Sequence, residues 1–136
     1  HTDGHIDTIV RFVNEKKLVC SFSDEKNDPN SKTMAENFNI LLDYNKNHPG
    51  QELEIIKLPL PKKNRYLNKN RLPATYANFY IGNGFVVVPT YDDPHDALAL
   101  EILRSLFPNR EVIGLSSKVL IQGGGSFHCV TQQQPA

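Results

Sequence analysis

The stretch IQGGGSFHCVTQQQPA places a thiol, Cys129, four residues after a run of three glycines, Gly123 to Gly125. Glycine reaches positive φ without penalty and lets a ligand approach the backbone closely. A cysteine presented on such a turn can act as a nucleophile, because its thiolate forms readily and attacks carbon well. At the other end of the chain His5 and Asp7 form a His-x-Asp pair. If this segment is extended, both side chains fall on one face. A carboxylate and an imidazole facing one cleft suit a proton shuttle beside a cation-binding group. Each feature also has a plain reading: a structural turn needs glycine too, and His-x-Asp is common on surfaces.

The remaining candidates read as structural. Cys20 lies between Leu18 and Phe22 in an apolar strand-like run, where a buried, inert thiol is expected. If Cys129 is in a strand, His128 points the opposite way, as a wall residue. His48 sits in a helix-ending turn and His95 in a first helical turn. His1, His5, Asp7, His128 and Cys129 are metal-ligand types, yet no Cys-x-x-Cys or His-Glu-x-x-His spacing appears. Neither a metal nor an organic cofactor is expected.

Positioning such groups requires a core, and 136 residues with 39% hydrophobic content suffice for one domain. Lys+Arg and Asp+Glu number 15 each, so the basic excess of a nucleic-acid binder is missing. No apolar run approaches the ~20 residues that span a bilayer. No nucleic-acid or membrane partner is expected. The two cysteines sit in unlike contexts, which favours free thiols in a reducing cytoplasm over a disulfide. A homo-oligomer is compatible with the chain but not readable from it.

Strand patterns occur at TIVRFV (Thr8–Val13) and LVCSF (Leu18–Phe22), joined by the polar NEKK turn. A helix follows, with Asp28 as N-cap, Pro29 in the first position and Ala35, Phe38, Leu41 and Leu42 as its apolar stripe. HPG (His48–Gly50) ends it, and LEIIKL (Leu53–Leu58) reads as a buried strand. The order then repeats. NFYI (Asn78–Ile81) and FVVVP (Phe85–Pro89) flank GNG, a hairpin turn in which positive φ is expected. Asp93 and Pro94 open a helix striped by Ala99, Ile102, Leu103 and Leu106, and EVIGL (Glu111–Leu115) closes the unit. This gives two β-β-α-β units, about 5–58 and 77–116, with the first strand of a third starting about 127. Repeated units imply a larger array, so the chain is expected to be a fragment of a longer protein, with a trimmed or processed domain as the alternative. It begins HTDGHID without an initiator Met and stops at QQQPA without a closing element. His5, Asp7 and Cys129 then lie at equivalent entries to their units, where they can converge. The basic connector Pro59–Thr75 is long for a compact fold and reads as a solvated loop or as a lid.

TDGHID, PATYANFYI, VPTYDDPHDALALEIL and GGGSFHCVTQQQP occur in this order. Together they resemble the C-terminal half of bacterial and plant agmatine deiminases and of the related bacterial peptidylarginine deiminases. The resemblance runs from residue 1 to 136. It implies the pentein fold, an α/β propeller of five β-β-α-β units, of which this chain supplies about two and the start of a third. It implies that Cys129 is the nucleophile, that His5 is the general acid and base, that Asp7 binds guanidinium nitrogens, and that Gly124 and Gly125 line the substrate. Ser126 departs from the Asn usual in the agmatine enzymes, which leaves the subfamily open. The N-terminal half of the family carries a Trp and a further acidic residue that grip the substrate, and this chain has no Trp. These residues alone should therefore form an incomplete site. The implied partner is a small guanidinium substrate, agmatine or an arginine side chain.

Overall fold

In the computed structural model, residues 5–25 and 27–134 are described. Thr2, Asp3 and Gly4 of the TDGHID block, and His1, lie outside them. A 3-10 turn, Ile6–Thr8, leads into β1 (Val10–Asn14) and β2 (Lys17–Phe22). Helix α1 (Ser31–Asn47) then crosses to β3 (Glu54–Pro59). The short strands β4 (Tyr66–Leu67) and β5 (Asn70–Arg71) form a separate hairpin. β6 (Tyr80–Ile81), β7 (Phe85–Thr90), α2 (Asp96–Leu106) and β8 (Glu111–Ser116) repeat the first pattern. A 3-10 turn, Leu120–Gly123, precedes the site. No helix among the described residues is long and apolar enough to cross a membrane.

Both larger sheets have three strands, in the orders β1-β2-β3 and β6-β7-β8. In each, the first pair is antiparallel and the second parallel. That difference follows from the connections: a tight turn reverses the chain, whereas a parallel partner requires a crossover, here a helix. The central strand is buried on both faces, with Leu18, Val19, Cys20 and Ser21 all inaccessible. α1 covers one face, where Phe22 meets Phe38 edge-on at 5.5 Å. Val19, on the other face, joins the core of Leu58, Tyr76, Phe79, Val86, Val88, Tyr91, Leu103 and Phe107. One core therefore runs through both sheets. It holds the segment before β6 against the start of β1, and this juxtaposition builds the site.

Several boundaries differ from the sequence expectation. Both helices start later than Asp28-Pro29 and Asp93-Pro94 suggest, with Asn30 and His95 at the cap positions. Asp28 and Asp93 instead accept the N–H two residues on, at 2.9 and 3.0 Å, and these turns lead the chain into each helix. Leu42 is exposed, because the inward face of α1 runs through Ala35, Phe38 and Leu41. The GNG hairpin closes through the Gly82 N–H to Phe85 O at 2.8 Å and has no positive φ.

The connector is tied down rather than loose. Asp93 accepts the N–H groups of Lys62 and Lys63 at 2.9 and 2.8 Å, and Arg71 pairs with Asp28 at 3.2 Å. Arg65 donates to the Tyr91 carbonyl. Its β4-β5 hairpin and the glycine run line a common cavity of about 210 Å³, through Leu67, Asn68, Leu72, Gly123 and Gly124.

Candidate active site

The site forms where three segments meet: the 3-10 turn carrying Asp7, the coil carrying Asn78, and the turn following the glycines. The His-x-Asp segment is not extended. Tight 3-10 winding starts at Ile6, with the His5 carbonyl accepting Thr8 N–H at 3.0 Å and Thr8 Oγ1 at 2.7 Å. His5 and Asp7 therefore do not share a strand face. Asp7 turns inward, with its side chain 15% exposed, while His5 is exposed. Among the described residues the His5 imidazole makes no hydrogen bond to Asp7 or Cys129.

Cys129 reaches the site by a turn rather than a strand. Gly124 has φ +92°, a left-handed conformation that turns the chain back after the 3-10 helix. Gly125 has a different need: a Cβ there would lie 2.6 Å from Cys129 Sγ and 2.7 Å from its Cβ. The amides beyond it are held by Asn78 and by the turn itself. Ser126 N–H and Cys129 N–H go to Asn78 Oδ1 at 3.0 and 3.3 Å, and Val130 N–H goes to Ser126 O at 3.3 Å. With their donors engaged in this turn, residues 127–130 do not form the strand expected there. His128 consequently does not point away from Cys129. Ser126 is fully buried and bonds Ser117 Oγ at 2.6 Å.

Asp7 Oδ2 is the hub of the polar cluster. His128 Nδ1 lies 2.7 Å from it, Asn78 Nδ2 donates at 3.0 Å and Cys129 Sγ donates at 3.2 Å. Burial alone would raise the Asp7 pKa. The hydrogen bonds from His128, Cys129 and Asn78 outweigh it, so the carboxyl sits below its ordinary range. Asp7 is thus held as an anion beside the thiol. Arg11 supplies a fixed cation nearby. It donates to the carbonyls of Ala77 and Phe79 at 3.2 and 2.8 Å, and its guanidinium lies 4.7 Å from the Phe79 ring centre. Burial lowers the Arg11 pKa, while charge on Asp7 and Cys129 acts in the opposite sense. Cys20 behaves as the sequence suggests: it is fully buried, and burial pushes its thiol up to about 11.

The structure thus brings Asp7, Cys129 and Gly125 together and leaves His5 exposed, without a hydrogen bond to that cluster among the described residues. Sequence reasoning missed Asn78 and Arg11 and read His128 as a bystander. Two signals were present. Asn78 is an amide in a run otherwise fit for a buried strand, and Arg11 is a charge inside TIVRFV.

Residues 1–135 match the family described as Porphyromonas-type peptidyl-arginine deiminase. A protein named "Putative agmatine deiminase" from Latilactobacillus sakei subsp. sakei (strain 23K) is 35% identical over 152 residues, covering 99% of this chain and 41% of that protein. A crystal structure described as the "Putative Arginine Deiminase from Porphyromonas gingivalis" superposes with TM-score 0.91 at 42% identity, over 98% of this chain and 39% of that one. The agmatine deiminase of Enterococcus faecalis superposes with TM-score 0.88 at 28% identity, over 99% of this chain and 41% of that one. The chain spans about two fifths of the length of these relatives. It belongs to the Porphyromonas-type peptidyl-arginine deiminase family.

Proposed function

We propose that the protein carrying this chain is a guanidinium iminohydrolase acting on agmatine, releasing ammonia and N-carbamoylputrescine in putrescine biosynthesis in the cytoplasm. Five β-β-α-β units would complete the pentein ring, with the remaining substrate contacts coming from units outside this chain. The observation that carries the reading is the meeting of Asp7 and Cys129 at 3.2 Å. A carboxylate there matches the paired N–H groups of a guanidinium. The bound cation then lies beside the thiol. Opposite charges about 4 Å apart attract by about 4 kcal/mol at an effective dielectric of about 20, which favours the thiolate.

Cys129 Sγ attacks the guanidinium carbon and forms a tetrahedral adduct. A C–N bond breaks, His5 gives its proton to the leaving nitrogen, and ammonia departs from an S-amidino intermediate. His5 then takes a proton from water, whose oxygen adds to the same carbon. The C–S bond breaks, and the product is a urea with the thiolate restored. His5 must swing inward from its exposed position, as free-state geometry often requires of an acid-base group.

A second reading, an arginine side chain as substrate, is favoured by the higher identity to the structures described as arginine and peptidyl-arginine deiminases, 42% and 40%. Ammonia release by the full-length protein from agmatine and from an arginine-containing peptide separates the two. Release from neither, with the amidino group passed to an added amine, would make the protein a transferase instead.

A further inference from the structure

We propose that Asn78 is a positioning residue that sets the Cys129 thiol against Asp7 and fixes the turn that presents it. This rests on the reading of Cys129 as nucleophile. Asn78 is 1% exposed, and its carboxamide uses both ends. Nδ2 donates to Cys129 Sγ at 3.1 Å and to Asp7 Oδ2 at 3.0 Å, with a longer approach to Asp7 O at 3.5 Å. Oδ1 accepts the N–H groups of Ser126 and Cys129 at 3.0 and 3.3 Å. The opposite amide orientation would set an oxygen against a carboxylate and an NH2 against two donors, so the network fixes which end is which.

The backbone of Asn78 is held as firmly. Its carbonyl accepts His128 N–H at 3.2 Å, and Arg11 binds the carbonyls on either side, those of Ala77 and Phe79. One amide thus joins three segments that are remote in sequence. It has no proton to exchange at neutral pH, so it serves neither as acid nor as base. It offers the sulfur a donor that strengthens when the thiol loses its proton. Only a neutral amide of this length fits. A carboxylate would face Asp7, and a shorter side chain would leave the buried Ser126 N–H and the part-buried Cys129 N–H without this acceptor.

The test is alkylation of the full-length protein by iodoacetamide across pH, read by peptide mass at Cys129. Cys20 is buried and stays silent. The charged and titratable groups around the thiol among the described residues are Asp7, Arg11 and His128, and they remain in place. Asn78→Ser removes the amide donor from the sulfur without adding a charge. It should slow Cys129 alkylation at pH 7 by about tenfold or more and move its profile to higher pH. A merely structural role would lower the melting temperature and leave that profile unmoved, as would a role for Asn78 elsewhere; either result overturns the proposal. If Asn78→Ser does not fold, the side-chain resonances of the native protein decide. In the native protein the Asn78 side-chain NH2 resonances should shift when Cys129 is alkylated, and unmoved resonances would refute the contact. Alkylation needs no turnover. A native protein that releases no ammonia from agmatine or an arginine peptide, beside a shifted Asn78→Ser profile, therefore rejects the deiminase reading and keeps this one.

Discussion

Asp7 Oδ2 and Cys129 Sγ lie 3.2 Å apart although 122 positions separate them in the chain. A carboxylate and a thiol at that distance do little for stability. They form a place where a cation can be gripped by one group and attacked by the other.

Replacing the carboxylate tests the grip. In a Cys129→Ser background of the full-length protein, Asp7→Asn should weaken agmatine binding by about tenfold to a hundredfold, the worth of hydrogen bonds to a charged group. Calorimetry measures this. Because His128 and Asn78 hold the Asp7 carboxyl below its ordinary range, the Cys129→Ser protein should keep its Asp7-dependent affinity to a lower pH than an unperturbed aspartate, with a pKa of about 3.9, would allow.

Gly125 is tested by adding one carbon. A Cβ 2.6 Å from Cys129 Sγ must displace the thiol or the turn. Gly125→Ala should cost about 1–3 kcal/mol of stability by overpacking and slow alkylation of Cys129. Thermal melting and peptide-mass labelling give the two readings.

Asp93 fastens the connector to the second unit by accepting three backbone N–H groups, those of Lys62, Lys63 and His95. Burial would raise its pKa, but these bonds outweigh it and the carboxyl lies below its ordinary range. A depressed carboxylate contributes stability above the unfolded pKa of about 3.9, and the contribution is lost as pH falls through the folded value. Asp93→Asn should therefore lower the melting temperature at pH 7 and make little difference near pH 2.

Much of the fold was legible because burial imposes a period. Val86, Val88, Ala99 and Leu103 announce the faces that the core covers, and the two crossovers repeat one order. Helix starts were misread by two residues because an aspartate that forms a turn before a helix looks like one that caps it. In the candidate site, the meeting of Cys129, its glycines and Asp7 was legible from rare residue types. The site was illegible where the contacts are long-range. Nothing local tells that the Asn78 amide will reach Asp7 and Cys129, or that His128 will turn toward Asp7. The expected strand at 127 failed for the same reason, since the donors of Ser126 and Cys129 find their acceptor 48 and 51 positions away.

The proposed chemistry depends above all on Cys129 as the nucleophile. The most direct measurement is the rate of ammonia release from agmatine and from an arginine peptide by full-length Cys129→Ser protein, beside the unsubstituted protein. A fall of about a thousandfold or more, with guanidinium binding still measurable, is the result predicted. A Cys129→Ser protein that keeps most of the native rate would contradict it.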